Sequence, residues 1–354
     1  MNQHLPTQCD IAIGAALHVA PYTGTGHEWD DFVRAQPGWS HCHLYGWRNV
    51  MRDAFGHDTV YLAARVHSQL TGVLPVVRVR SRLFGRFLVS IPFANYGGPL
   101  GSDDAIQRMV SLAARIADAE RANVLELRSR YALPLSLPVS HRKITVLLDM
   151  SGGADALWKR LDGKVRSQVR RPQKDGVTVR MGADQVDPFF QVFAQHMRDL
   201  GTPTYPLSFF HSIAREFPDD VLFAVAYHEG KAIACGCGFR WGDEFEITWA
   251  SALREYNKMS PNMLVYWELM RATAEAGATT FNFGRCTPES GTHKFKRQWG
   301  TTDEQLWWYE RRAPGASLLQ EGSNTAKLGA DLWKKLPLRI ATALGPRIIR
   351  SIPL

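Results

Sequence analysis

The stretch from Met259 to Gly300, MSPNMLVYWELMRATAEAGATTFNFGRCTPESGTHKFKRQWG, constrains the fold most. Ser260 stands where a helix N-cap belongs, and Pro261 takes the first helical position, where a missing N–H costs nothing. The spacing predicts a helix to about Ala276, halted at Gly277, and then a strand over Ala278–Gly284. In that strand Phe281 and Phe283 share one face and Asn282 takes the other. A loop–helix–strand unit of this kind belongs to a sheet flanked by helices. It turns a helix N-terminus, with its unpaired N–H groups, towards a ligand beside the sheet. The next loop carries His293, Lys294, Phe295, Lys296, Arg297 and Trp299 to the same edge, which suits an anionic or carbonyl-bearing substrate.

The pattern extends along the chain. A strand is expected over 10–20, helices over Glu28–Arg34 and Tyr45–Ala54, and strands over Asp58–Val66, Leu70–Arg80 and Phe87–Ile91. A helix capped by Ser102 runs from Asp103 to Arg121, with strands at Val124–Arg128 and Ile144–Asp149. The second half repeats the order. Its first helix, Ala154–Arg171, is expected to stop at Pro172, because the residue before proline disfavours helical angles. The strand Val177–Met181 and helices Val186–Leu200 and Leu207–Glu216 follow. A meander then runs Val221–Tyr227, Lys231–Trp241 and Glu244–Ala252, and Glu304–Glu310 closes the sheet. The expected class is α/β (α+β), with two mixed sheets flanked by helices. A chain of 354 residues is long for one core. The expected units are 1–150, 151–313 and a tail, 314–354.

A formal charge of +8 favours anionic partners without choosing among nucleic acid, phosphate-rich cofactors and lipid headgroups. Five cysteines (Cys9, Cys42, Cys235, Cys237, Cys286) form no paired framework, as in a reducing compartment. No basic segment followed by an apolar run marks a leader, and no apolar run of about 18 residues marks a span. The expected location is the cytoplasm. His41-Cys42-His43 lacks zinc spacing and is expected to be structural, so no metal is expected.

Three segments carry a family likeness: Tyr256…Ser260-Pro261-Asn262, Phe281-Asn282-Phe283-Gly284, and Lys294-Phe295-Lys296…Trp299-Gly300. Together they resemble the second half of FemAB-type, GNAT-fold acyltransferases, strongly from about Trp158 to Glu310. The likeness implies two tandem GNAT-like domains. It also implies an activated acyl or aminoacyl group, delivered from aminoacyl-tRNA or acyl-CoA to an amine of a cell-envelope precursor, without a permanently bound cofactor. The tail, with Leu336-Pro337-Leu338…Leu344-Gly345-Pro346, is similar to that of an exosortase-associated (PEP-CTERM) sub-branch linked to exopolysaccharide.

By that likeness Phe295 and Lys296 line the reacting carbonyl, with Lys296 facing the developing charge. Arg198 and Tyr205 fall in an acceptor-contacting region, Trp249 and Ser251 on the substrate side, and Tyr96 in a groove-shaping loop. Tyr256 and Lys294 complete the substrate-binding set. Where the family has an acidic residue after the next strand, this chain reads Arg128-Ser129-Arg130. From the residues alone, Arg166 and Arg170 lie one helical turn apart, where they either contact phosphates, including those of a tRNA, or form a solvated face. Glu246 is either a general base or an exposed strand-edge carboxylate. Residues 321–354 carry six basic side chains against two acidic ones, beside an apolar face. That segment either packs on the body or meets an anionic membrane. A CoA-dependent N-acyltransferase and a non-catalytic scaffold held by this tail are the rival functional readings.

Overall fold

A computed structural model of the chain describes residues 16–81, 84–315 and 324–352. Cys9, the start of the strand expected over 10–20, and Glu321 lie outside them. The first part runs β1 (Leu17–Pro21), α1 (Gly26–Ala35), α2 (Gly46–Phe55), β2 (Thr59–Val66), β3 (Gln69–Ser81), β4 (Gly85–Val89), β5 (Leu100–Gly101), α3 (Asp103–Ala119), β6 (Val124–Ser129), β7 (Val139–Ser140) and β8 (Ile144–Asp149). There follow α4 (Gly153–Arg160), α5 (Gly163–Lys174), β9 (Thr178–Met181), α6 (Val186–Leu200), α7 (Leu207–Glu216), β10 (Val221–His228), β11 (Lys231–Trp241) and β12 (Glu244–Ala252). The chain ends α8 (Pro261–Glu275), β13 (Thr280–Cys286), α9 (Gly291–Arg297), β14 (Thr302–Gln305), β15 (Trp307–Arg312), α10 (Asn324–Lys334) and α11 (Leu338–Ile349).

Two mixed sheets result. The first is ordered β1-β2-β3-β4-β6-β15-β7, with β5 on β3, and the second β14-β8-β13-β12-β11-β10-β9. Apolar alternation explains the layering. One face of β2 and β3 joins one face of β10 and β11, through α1, α2, α6 and α7, in a shared core that includes Trp29, Trp47, Phe209, Phe210 and Phe239. The outer face of the first sheet carries α3, and that of the second carries α4, α5 and α8.

Sheet membership crosses the expected 150/151 boundary in both directions. Strand β8 pairs with β13 and β14 in the second sheet, while β15 pairs with β6 and β7 in the first. The strand expected to close the second sheet over Glu304–Glu310 is therefore two strands. The chain changes sheets at fully buried Leu306.

Each sheet contains one parallel pair with a crossover helix, and in each the pairing is short. Strands β4 and β6 register over Phe87–Val89 against Val124–Glu126, joined through α3. Strands β12 and β13 register over Glu244–Glu246 against Thr280–Asn282, joined through α8. Beyond those three residues neither ladder continues: β4 ends at Val89 and its chain turns into a loop beside β6, whereas β12 and β13 run on, no longer paired to each other, to Ala252 and Cys286. Each pair leaves a wedge at the C-terminal end of the strands, and the second positions the site.

Three local expectations are corrected. The helix expected over Ala154–Arg171 is two helices, because the Asp162 carboxylate accepts from the Lys164 amide and starts α5 afresh. Pro172 sits in the last turn of α5 rather than stopping it, and the helix ends two residues later at Lys174. Ser260 precedes α8 but is left-handed (φ 58°, ψ 44°), and its side chain makes no cap bond.

Candidate active site

The expected Lys-Phe-Lys loop is helical. Ser290 caps α9 by accepting from the His293 amide, and the turn of helix swings Lys296 inwards. Lys296 is 3% exposed, and its Nζ donates to the Gly284 carbonyl at 2.7 Å and the Arg285 carbonyl at 2.9 Å. These carbonyls face it because β13 bulges against β8 between Asn282 and Arg285, where Gly284 adopts φ +69°. A side chain at Gly284 would press on the Asn95 amide at 3.1 Å and the Ile247 carbonyl at 3.2 Å, so glycine is required there. An ammonium has three donors. Two are engaged, and the third has no protein partner among the described residues. Burial pushes the Lys296 pKa down to about 8.

Glu246 forms the other wall. It is fully buried on an interior strand, not a strand-edge surface carboxylate. Its Oε1 accepts from Asn95 at 2.7 Å and Thr248 at 3.2 Å, while its Oε2 is buried without a hydrogen-bond partner. His41 Nε2 stands 4.0 Å from Oε1, its ring stacked on Phe239 at 4.0 Å. Burial opposes a charged His41, but the Cys42 sulfur and the Glu246 carboxylate outweigh it and hold its pKa up to about 9. Burial likewise opposes a charged Glu246, yet the His41, Asn95 and Thr248 contacts hold its pKa below the usual value. An ionised carboxylate and a buried ammonium therefore share the wedge between β12 and β13.

The wall between the sheets is hydrogen-bonded. Tyr96 Oη donates to Thr145 Oγ1 at 2.9 Å, Thr145 to Asn282 Oδ1 at 2.7 Å, and Asn282 Nδ2 to Glu244 Oε1 at 2.6 Å and to Tyr96 Oη at 2.9 Å. Arg130 pairs with Glu244 at 2.7 Å and also with Glu304. The Arg128-Ser129-Arg130 departure thus tethers one sheet to the other. Tyr96 is inside this network.

A bulge also decides the far end of β12. Trp249 pairs with Cys237 and Ile247 with Gly238, leaving Thr248 extra. The expected shared face of Phe245, Ile247 and Trp249 is therefore broken. Phe245 and Ile247 join the α8 core, whereas Trp249 turns to the core between the sheets. There its ring lies edge-on to buried Tyr205, centroids 6.2 Å apart; burial raises the Tyr205 pKa, and the Arg285 and Arg128 charges act against that rise. Both guanidiniums lie against the Trp308 ring, at 4.8 and 4.5 Å. Ser251, one turn of strand further, is buried with its Oγ unpartnered.

The remaining expected residues are dispersed. Phe295 packs on Tyr266 at 5.2 Å, and Lys294 is exposed on α9. Tyr256 lies beside Lys231, 5.1 Å from its ammonium, at the β10–β11 end of the second sheet. Arg198 binds Asp199 and the Leu336 carbonyl, anchoring the tail rather than lining the wedge. Arg166 and Arg170 line an open groove of about 410 Å³ on α5, with Arg170 over Trp158 at 5.2 Å. His43 caps its own turn from the Ser40 amide. Among the described residues no cluster of three or more His, Cys, Asp or Glu side chains is arranged to hold a metal. Sequence reading missed Asn95, His41 and Thr145 as partners of the site, since their contacts come from strands and loops far apart in the chain.

Comparison with known proteins agrees with this architecture. Residues 159–297 match the acetyltransferase (GNAT) domain family, so the chain carries a GNAT domain over that segment. Over 154 residues it is 25% identical to a UDP-N-acetylmuramoylpentapeptide-lysine N(6)-alanyltransferase of Weissella viridescens, covering 42% of this chain and 45% of that protein. The chain is thus aligned with under half the length of that relative. The crystal structure of FemX superposes with a TM-score of 0.62 at 14% identity, over 82% of this chain and 97% of that one. L-PGS from Bacillus licheniformis gives 0.55 at 12%, over 88% and 98%. A tandem GNAT protein from the clavulanic acid biosynthesis pathway gives 0.52 at 11%, over 85% and 100%. These structures share the fold, and the molecule is a mixed α/β protein of two GNAT-like halves.

Proposed function

We propose that this protein transfers an activated aminoacyl or acyl group to an amine, at the wedge between β12 and β13. The observation that carries the reading is the buried Lys296 ammonium, with its third N–H unengaged, sharing that wedge with the unpartnered oxygen of Glu246. The acceptor nitrogen attacks the donor carbonyl carbon and forms the N–C bond, and the carbonyl electron pair moves to oxygen. Lys296 donates to that oxyanion. A fixed donor of this kind is worth roughly 3–4 kcal/mol of barrier. Glu246 Oε2 accepts the proton of the attacking nitrogen and returns it to the leaving hydroxyl as the ester bond of an aminoacyl-tRNA breaks.

The alanyltransferase likeness supports an aminoacyl donor and a cell-wall precursor amine as acceptor. We extend the acceptor class to amines of exopolysaccharide precursors, in an exosortase-associated setting, on the likeness of the tail. The groove at Arg166 and Arg170 is the proposed contact for tRNA phosphates. Arg285, Tyr205, Trp249 and Ser251 are the proposed acceptor side.

A second reading, an acyl-CoA donor, is favoured by the acetyltransferase description of the matched domain and by the N-terminus of α8, where the Ser260 side chain makes no cap bond. Incubating the protein with radiolabelled aminoacyl-tRNA or acetyl-CoA and a UDP-linked muramoyl pentapeptide tests both. Label moving to the peptide amine from tRNA supports the first reading, and from CoA the second. Lys296→Met must slow either by about 10²–10³-fold. Full transfer by that variant would sink both, as a non-catalytic scaffold requires.

A further inference from the structure

Five of the eight exposed large hydrophobic side chains among the described residues sit on the two tail helices. Leu328 and Leu332 lie one turn apart on α10, and Ile340, Leu344 and Ile348 recur every four residues along α11, at exposures of 36–64%. This is not a frayed tail that fails to pack. Both helices rest on α6. The inward row of α11 is Ala341, Gly345 and Ile349, all buried, and Gly345 approaches Thr204 so closely that a Cβ would stand 2.8 Å from its amide nitrogen. Gly201 meets Ala330 with the same closeness, and Arg198 Nη1 holds the Leu336 carbonyl at 3.0 Å. The apolar row is therefore held facing outwards on a fixed platform.

At 100° per residue, the row Ile340, Leu344, Ile348 is bordered on one side by the buried row. On the other side lie Arg339, Arg347 and Arg350, all exposed. Lys334 and Lys335, also exposed, stand at the end of α10. Against these five cations the described tail offers one carboxylate, Asp331, which is already bridged to Lys334 at 2.8 Å. An apolar row edged by cations is the arrangement of a helix lying in a membrane interface. No helix among the described residues is long and apolar enough to cross a membrane.

We propose that α10 and α11 form a docking face for an anionic lipid bilayer. Their leucines and isoleucines enter the acyl boundary, and the arginines and lysines meet the headgroup phosphates. The charge excess selects this occupant. A second copy of the same face would set cations against cations, and a neutral apolar partner would leave them unpaired.

The inference stands on the tail alone, and its test reads no transfer activity, so it fails or survives separately from the acyl-transfer reading. The full chain is mixed with vesicles of phosphatidylcholine, with or without about a quarter phosphatidylglycerol, and floated on a density gradient. Partitioning at least about tenfold higher onto the anionic vesicles, reversed by about 0.5 M salt, is expected. Ile340→Glu/Leu344→Glu is expected to remove about tenfold or more of it while melting at the wild-type temperature. Arg339→Gln/Arg347→Gln is expected to erase the preference for the anionic lipid. Failure of the wild type to float with phosphatidylglycerol would overturn the proposal, as would undiminished binding by a folded Ile340→Glu/Leu344→Glu variant. Sedimentation showing a dimer that the same variant dissolves, with no vesicle binding, would reassign the face to self-association.

Discussion

The two parallel strand pairs are alike in topology and unlike in content. Beyond β4 and β6, the wedge is closed by the chain's own loop. Ser90 donates its amide to the Glu126 carbonyl and accepts from the Arg128 amide at 2.7 Å, and Arg128 binds Glu126 and the Ala94 carbonyl. Beyond β12 and β13, the wedge holds a lysine and a glutamate, each with bonding capacity left over. The closing loop of the first wedge also walls the second, through Asn95 to Glu246 and Tyr96 to Asn282. One wedge became a brace and the other kept its chemistry. A buried cation therefore has opposite meanings in the two places.

The sharpest way to break this comparison is to exchange the readouts. Lys296→Met should lower the rate of transfer by about 10²–10³-fold while leaving the melting temperature close to wild type. Its charge is disfavoured by burial, and removing it offsets the two lost carbonyl bonds. Arg128→Met should do the reverse, costing about 3–5 kcal/mol of stability by stranding Glu126 beside it, with transfer per folded molecule little changed. Chemical denaturation and single-turnover assays on the two variants decide it. If both lose stability equally, the distinction between brace and site fails.

Glu246→Gln sharpens the account of the second wedge. It should slow transfer by about 10²-fold. It should also lower the His41 pKa from about 9, because the carboxylate that favours the imidazolium is gone. Ring-proton NMR titration reads that shift. The smallest expected difference concerns the crossover helices. Ser102 caps α3 by accepting from the Ala105 amide, so Ser102→Ala should cost about 1 kcal/mol. Ser260 makes no such bond, so Ser260→Ala should cost less than half of that in the same denaturation assay.

Much of this was legible in sequence where the signal is local. Helices α6 and α7 and strands β8, β11 and β12 lie where periodicity and turn residues put them. Lys296 was found through a family likeness rather than through its surroundings. Sheet membership was not legible, because β8 and β15 are short strands whose partners are set by contacts remote in sequence. The bulge at Thr248 was invisible for a similar reason. Strict alternation put Trp249 on the face of Phe245, and one extra residue moved it to the other face. The burial of Glu246 followed from the same blind spot, since only the loop at Asn95 and the ring of His41 reveal that its strand is covered.

The central claim is that a lysine ammonium in the second wedge stabilises the transition state, and its titration tests this most directly. Burial places that group near pH 8, so the single-turnover rate should fall as pH rises through about 8 and the third N–H donor loses its charge. In Lys296→Arg, whose guanidinium stays protonated, whatever activity remains should show no fall there. An identical falling limb in both proteins, or an undiminished rate in Lys296→Met across the range, would contradict the account.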